Sequence, residues 1–244
     1  MKNNAIILSA GQGKRMQKAT PKQYLSLDGR PILYYSLKAY ADVPEISNIV
    51  VVACESDHDF IQNDIINKYD VAKVSDIVDG GLERHHSVYQ GLLAPGSADS
   101  DYIFIHDGSR PLIDVATIRK AAEAVLQHPA IVVGIPVTDT VKLLDDTQMV
   151  CETPRRSSVW LAQTPQVFDA TLIREAYRQL IENEETLVAE GVTITDDAMA
   201  VERYSQTKVL LIPGSARNIK ITTPEDMETA QLIVAMQTPL GLSN

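Results

Sequence analysis

The chain has 244 residues, 45% of them hydrophobic and 22% charged, proportions of a globular protein with a sizeable core rather than of a disordered chain. Its formal net charge of −10, from 32 acidic and 22 basic side chains, opposes a nucleic-acid-binding surface, so an anionic ligand would need a local basic site. Two cysteines, Cys54 and Cys151, without metal-ligand spacing argue against a disulfide framework and for a reducing compartment.

Short β-branched runs alternate with helical patterns. Ala5–Leu8, Ile49–Cys54, Tyr102–Ile105, Ile131–Val137 and Val209–Ile212 read as strands buried on both faces, with Cys54 a buried strand thiol. Pro31 to Ala41 reads as a helix opened by proline. Asp114 to Gln127 places Ile118, Ala121, Ala122 and Val125 on one face. Thr223-Pro224-Glu225-Asp226 reads as a capped helix start, and that helix is expected to end near Gln237, leaving 238–244 as a loose tail. Strand–helix alternation predicts an α/β fold, a Rossmann-like, mostly parallel sheet with helices on both faces, in a single domain spanning 1–237. The stretch Thr138 to Trp160 breaks the rhythm with strand, polar turn, strand and basic loop, and predicts a protruding β-hairpin arm at about 138–160. Ala5–Leu8 is too short for a signal peptide, and no apolar run approaches the roughly 18–20 residues that cross a bilayer. A cytoplasmic protein with neither nucleic acid nor membrane as partner is expected.

The first strand runs into Leu8-Ser9-Ala10-Gly11-Gln12-Gly13-Lys14-Arg15-Met16. Small residues let backbone N–H groups approach an anion, and Lys14 and Arg15 add charge. No Ser or Thr follows Lys14, so this is not a Walker loop, and Met16 stands where a dinucleotide fingerprint has its third glycine. Alone, the loop suits either a phosphate cradle or a tight turn.

Joined to Pro21-Lys22-Gln23, the loop resembles the signature of the sugar-phosphate nucleotidyltransferase superfamily. There the loop wraps a triphosphate, and an Arg and a Lys, matched by Arg15 and Lys22, flank the α-phosphate. Asp79-Gly80-Gly81-Leu82-Glu83-Arg84-His85-His86-Ser87-Val88 resembles the base-recognition segment Gly-Gly-x-x-Arg-x-x-Ser-Val of cytidylyltransferases. The resemblance implies nucleotide binding by Ser9, Ala10, Gly11, Gly13, Arg15, Lys22, Gly81, Leu82, Ser87 and Asp107. Without it, the same glycines read as a turn before a capped helix. His106-Asp107-Gly108-Ser109-Arg110-Pro111 places Asp107 at a strand's carboxyl end, suited to Mg²⁺, to a substrate hydroxyl or to an ion pair with Arg110. His106 reads as structural.

Pro136-Val137-Thr138-Asp139-Thr140-Val141-Lys142, Arg155-Arg156, Thr164-Pro165-Gln166, Thr193 to Asp197 and Asn218 to Thr222 follow in order. Over essentially the whole chain they resemble the methylerythritol phosphate cytidylyltransferase family. The resemblance implies CTP and a polyol phosphate as substrates and a homodimer completed by the partner's arm. It implies polyol phosphate contacts from Asp107, Arg110, Thr140, Arg156, Thr164, Asp196 and Lys220. Arg15, Lys22, Arg156 and Lys220 are the implied catalytic cations, with Arg155 competing with Arg156 for the arm position. A phosphate monoester is mostly dianionic at neutral pH and needs no general base. Positioned cations and Mg²⁺ are what such a reaction asks for. Alternatives are a ribitol phosphate cytidylyltransferase, from which Thr195-Asp196-Asp197-Ala198-Met199-Ala200-Val201-Glu202 differs, and a non-catalytic nucleotide-binding protein of the same fold.

Overall fold

The computed structural model describes residues 1–11 and 21–237. Gly13, Arg15 and the tail at 238–244 lie outside the described residues. In chain order the strands are β1 (Asn3–Leu8), β2 (Ser26–Leu27), β3 (Arg30–Pro31), β4 (Ile46–Ala53), β5 (Val74–Asp79) and β6 (Tyr102–Asp107). They continue with β7 (Ala130–Pro136), β8 (Leu143–Leu144), β9 (Val150–Glu152), β10 (Trp160–Asp169) and β11 (Leu210–Pro213). The helices are α1 (Ile32–Ala41), α2 (His58–Phe60), α3 (Arg84–Leu93) and α4 (Val115–Ala124). After β10 come α5 (Ala170–Glu182), α6 (Glu184–Ala189), α7 (Asp197–Tyr204) and α8 (Pro224–Gln237). α2 continues as a π-helical stretch over Ile61–Asn67.

A seven-stranded sheet has the order β11-β7-β10-β6-β1-β4-β5. β10 alone runs antiparallel to its neighbours, while the other pairs are parallel. Alternate residues of each strand feed two cores. Ala5, Ile7, Val51, Phe104 and Ile131 face α1 and α4. Ile6, Val52, Ile105, Val132 and Phe168 face α3, α5 and α7. Burial on both faces is what makes these strands read as continuous apolar runs. The mostly parallel α/β fold with helices on both faces is therefore as predicted.

Boundaries follow local chemistry. Asp114 caps α4 by accepting the Thr117 N–H at 2.6 Å, and Asp169 caps α5 by accepting from Thr171 and Leu172. Ahead of α8, Asp226 accepts the N–H groups of Thr222 and Thr223, and the Thr223 hydroxyl accepts that of Asp226. Pro31 stands one residue before α1. Cys54 is a correction to the expectation: β4 stops at Ala53, and the thiol is half-buried in the loop beyond.

Two strands escape a reading of apolar runs. β5, Val-Ser-Asp-Ile-Val-Asp, is an edge strand without a continuous apolar run. β10 carries Pro165, ordinarily a signal against a central strand. Its pairing with β7 is interrupted between Ala162 and Gln166. Gln163, Thr164 and Gln166 form a buried polar stretch there. Gln166 Oε1 accepts the N–H groups of Asp197 and Ala198 at 3.0 and 2.9 Å, anchoring the start of α7.

The arm leaves the sheet after β7. β8 and β9 pair antiparallel as a separate ribbon, followed by a turn of 3-10 helix at Arg156–Ser158. Leu143, Leu144, Met149 and Val150 are exposed on it.

Replacing Gln166 with Leu would strand two buried N–H groups at the start of α7, at a cost of about 2–4 kcal/mol. Urea unfolding checks this, and an unchanged midpoint would mean that another group satisfies the α7 N-terminus.

Candidate active site

The carboxyl ends of β1, β4, β5 and β6 open into one cleft of about 900 Å³. Chain order reverses across β1, which lies between β4 and β6. That is the switch point at which open α/β sheets bind ligands. Ser9, Ala10, Gly11, Lys22, Gly81, Leu82, Ser87, Asp107 and Lys220, all singled out from sequence, line this cleft.

The loop after β1 is held from below. Ser9 N–H donates to Val52 O at 2.6 Å. Gln23 is buried, and its Nε2 donates to Ser9 O at 2.6 Å and Gly11 O at 3.1 Å. Gln23, itself part of the cleft lining, thus ties down two carbonyls of the loop. Lys22 Nζ donates to Ile221 O at 2.9 Å, joining the loop to the segment before α8.

The glycine segment after β5 is packed as closely as its composition allows. A Cβ on Gly80 would stand 2.3 Å from Ala10 Cβ, and one on Gly81 would stand 2.2 Å from His86 Cβ. Ser87 Oγ accepts the Gly81 N–H at 3.1 Å and donates to Glu83 O at 3.3 Å. Glu83 and His86 form a reciprocal capping box at the start of α3. Ser87 thus fixes the turn as well as facing the cleft.

Asp107 is the electrostatic centre. Its carboxylate lies 2.8 Å from Lys220 Nζ, 3.4 Å from Arg84 Nε and 3.7 Å from Arg110 Nε. Burial by itself would raise its pKa. The Arg84 guanidinium, then Lys220 and Arg110, outweigh that and hold the group well below the usual carboxylate range. Arg110 Nε is buried without a hydrogen-bond acceptor among the described residues, while its Nη1 donates to Asn218 O at 2.8 Å.

His106 is fully buried, as its structural reading requires. Its Nε2 lies 3.2 Å from Arg110 O, which can only accept, so that nitrogen carries the proton. Nδ1 then accepts from Thr164 Oγ1 at 3.0 Å, and that oxygen in turn accepts the Asp107 N–H at 3.1 Å. Asn218 Nδ2 donates to Thr164 O at 2.8 Å. Thr164 therefore sits behind Asp107 and orients it.

Asp196 caps α7, accepting from Met199 N–H at 3.1 Å and from Gln166 Nε2 at 2.9 Å. Thr140 and Arg156 are exposed on the arm and do not line the cleft. Arg156 Nη1 donates to Thr138 O at 3.0 Å, bracing the base of the arm.

Sequence reasoning left Arg84 and Asp197 without roles. Arg84 binds the fully buried Asp197 through two hydrogen bonds of 2.7 and 2.8 Å, and Tyr177 Oη donates to the same carboxylate at 2.5 Å. Burial alone would lower the Arg84 pKa, but Asp197 and then Asp107 raise it well above its ordinary value. The available signal was the arginine inside the glycine segment itself, three residues beyond Gly81.

Closely packed glycines beside the loop after β1, and a carboxylate ringed by cations at a sheet switch point, fit a nucleotide-handling α/β enzyme of the nucleotidyltransferase type. Comparison with known proteins narrows this. The family model for 2-C-methyl-D-erythritol 4-phosphate cytidylyltransferase, IspD, matches residues 4–236. The enzyme of that name from Lachnospira eligens is 43% identical over 232 residues, covering 95% of this chain and 99% of its own. The one from Caldanaerobacter subterraneus subsp. tengcongensis is 41% identical, covering 96% and 99%. The crystal structure of 4-diphosphocytidyl-2C-methyl-D-erythritol synthase from Anaerococcus prevotii is similar at a TM-score of 0.81 and 34% identity, covering 96% of each chain. The chain belongs to the 2-C-methyl-D-erythritol 4-phosphate cytidylyltransferase family.

Burial pushes the His106 pKa down from 6.5 to about 4. As pH falls below about 6.5, the unfolded chain takes up a proton that native His106 refuses until about pH 4. The stability contribution is complete above that window and lost within it, amounting to about 3 kcal/mol. The pH dependence of urea unfolding should flatten by about one proton in His106→Gln relative to wild type. Identical slopes would mean that native His106 is not held neutral.

Proposed function

We infer that the chain catalyses attack of a phosphate oxygen of 2-C-methyl-D-erythritol 4-phosphate on the α-phosphorus of CTP. A P–O bond forms to give CDP-methylerythritol, and pyrophosphate leaves with the electron pair of the bond broken. The observation that carries this reading is the family match over residues 4–236. Convergence of separate sequence motifs on one cleft supports it.

In this reading, backbone groups of Gly81 and Leu82 with Ser87 read the cytosine edge, and Ser9, Ala10, Gly11 and Gly13 cradle the triphosphate. Arg15 and Lys22 act on the α-phosphate. Lys220 receives the incoming phosphate, with Arg156 and Thr140 supplied by the arm of a partner subunit. Asp107 and Arg110 face the polyol; the buried unfilled Nε of Arg110 suits a hydroxyl acceptor. Thr164 and Asp196 hold Asp107 and α7 in place from behind. Because the nucleophile is already an anion, the site has to offset repulsion and fix geometry, and no proton acceptor is required.

A Mg²⁺ ion carried by the nucleotide keeps several waters and takes one or two protein carboxylates. Asp107 is the one buried carboxylate among the described residues lining the cleft, so it fits as the residue that would hold such an ion. Both its oxygens face cationic side chains, so the fit goes with Lys220 turning from Asp107 towards phosphate. When bound, the ion supplies charge neutralisation of the triphosphate.

The homodimer reading rests on the arm. A two-stranded ribbon is marginal alone, and Leu143, Leu144, Met149 and Val150 on it are 44%, 56%, 67% and 57% exposed. A partner surface accounts for these side chains. Two unpaired thiols, Cys54 and Cys151, accord with a cytoplasmic setting, and no helix among the described residues is long and apolar enough to cross a membrane.

Pyrophosphate release with Mg²⁺ and CTP is expected with methylerythritol phosphate and absent with ribitol phosphate; release only with ribitol phosphate would overturn the substrate. Lys22→Ala should lower kcat by roughly 10²–10³, as for loss of one oxyanion donor, and wild-type turnover would remove Lys22 from the chemistry. Arg156→Ala should weaken use of the polyol phosphate while sparing CTP binding. If arms complete partner sites, mixing and re-pairing these two impaired variants should restore roughly a quarter of wild-type sites, because half the dimers are mixed and each has one intact site. No recovery on verified subunit exchange would place Arg156 outside the partner's site.

A further inference from the structure

Outside the cleft, the first turn of α3 and the start of α6 bring three potential ligands together. His85 Nε2 lies 3.0 Å from one carboxylate oxygen of Glu184, and His86 Nε2 lies 3.0 Å from the other. All three donor groups fall within 4.8 Å of one another. The imidazole rings stand 4.2 Å apart between centroids, tilted by 42°. All three side chains are partly exposed, so an ion has a path from solvent. The two helices meeting here are separated by 90 residues of chain, and no site in the proposed reaction uses these side chains.

We propose that His85, His86 and Glu184 form a binding site for a borderline divalent transition cation of the Zn²⁺, Co²⁺ or Ni²⁺ class. Two imidazoles and one carboxylate are a ligand set that such ions take, leaving a fourth position to water. Mg²⁺, which prefers oxygen ligands and octahedral geometry, does not suit it. Tetrahedral bonds of 2.0–2.1 Å put neighbouring ligand atoms about 3.3 Å apart. Each imidazole nitrogen already stands 3.0 Å from an oxygen of Glu184, His85 from one and His86 from the other, so presenting one of these oxygens to both takes a shift of the carboxylate.

The metal-free arrangement has a defined competitor. His86 Nδ1 accepts the Glu83 N–H at 3.2 Å, so the ring proton sits on Nε2 and is donated to Glu184. Coordination through Nε2 moves that proton to Nδ1 and gives up the capping bond to Glu83. The capping bond and the two His–Glu184 hydrogen bonds are thereby exchanged for metal–ligand bonds.

The test uses the full chain with any affinity tag removed. Titration with Co²⁺ in the absence of nucleotide should develop the visible absorption of a low-coordinate Co²⁺ site at one equivalent, and Zn²⁺ should abolish it while Mg²⁺ should not. His85→Ala and Glu184→Gln should each weaken Co²⁺ binding by at least about 10–100-fold, the loss already typical of removing an outer-shell partner. Glu184→Gln preserves hydrogen bonding to both rings, so its fold can be verified from an unchanged metal-free melting temperature. No Co²⁺ absorption in wild type, or the same titration curve in both folded variants, would overturn the site.

Discussion

A single buried carboxylate organises the centre of this molecule. Asp107 ends a central strand in a place where an unpaired charge would be prohibitive. It stays ionised because three cations reach it from three chain segments: Arg84 from the start of α3, Arg110 from the loop after β6, and Lys220 from the approach to α8. Each partner fixes its own segment relative to the sheet. The protein is acidic overall, with a net charge of −10, so these cations do not arise from a generally basic surface. They are gathered at one point by one acid, at the edge where the sheet leaves a crevice.

The same acid needs a defined orientation, and the polar stretch of β10 provides it. Thr164 accepts the Asp107 N–H and donates its hydroxyl hydrogen bond to His106 Nδ1, while the His106 Nε2–H donates to Arg110 O. Asn218 binds the Thr164 carbonyl and offers its own carbonyl to Arg110. Breaking one bond in such a closed circuit leaves a buried polar group unsatisfied at its neighbour. The antiparallel strand is therefore more than a closure of the sheet: it carries the polar groups that a uniformly apolar strand could not.

How much of this was legible depended on the kind of signal. Ala5–Leu8 and Ile131–Val137 were readable as strands because burial on both faces demands continuous apolar residues. β5 and β10 were not, because Asp76 and Pro165 break that pattern while backbone pairing continues around them. Most of the cleft lining was legible because its residues recur at fixed spacings in motifs. Arg84 lay inside one of those motifs, yet its role depends on Asp197, 113 residues away, and no local pattern encodes that pairing. The arm could be located from the polar turn at Asp145-Asp146-Thr147-Gln148, but the surface that covers its leucines belongs to another molecule in the proposed dimer and leaves no mark in the chain's own periodicity.

The cations around Asp107 differ in what they are free to do. Arg84 is gripped through two hydrogen bonds by Asp197, which is fully buried and also bound by Tyr177. Moving that guanidinium onto a ligand would abandon a buried carboxylate, a change that costs several kcal/mol where a buried pair is broken. Lys220 pairs with Asp107, and its side chain is 35% exposed. An ammonium on a flexible stem can exchange one anion for another with little reorganisation. Its departure leaves Asp107 still facing two guanidinium groups, so the carboxylate remains paired. The site thus holds a fixed cation that keeps the acid ionised and a movable cation that can follow an incoming phosphate. In the proposed reaction, this division of labour would let two anionic substrates meet without leaving the protein's own buried charge uncompensated.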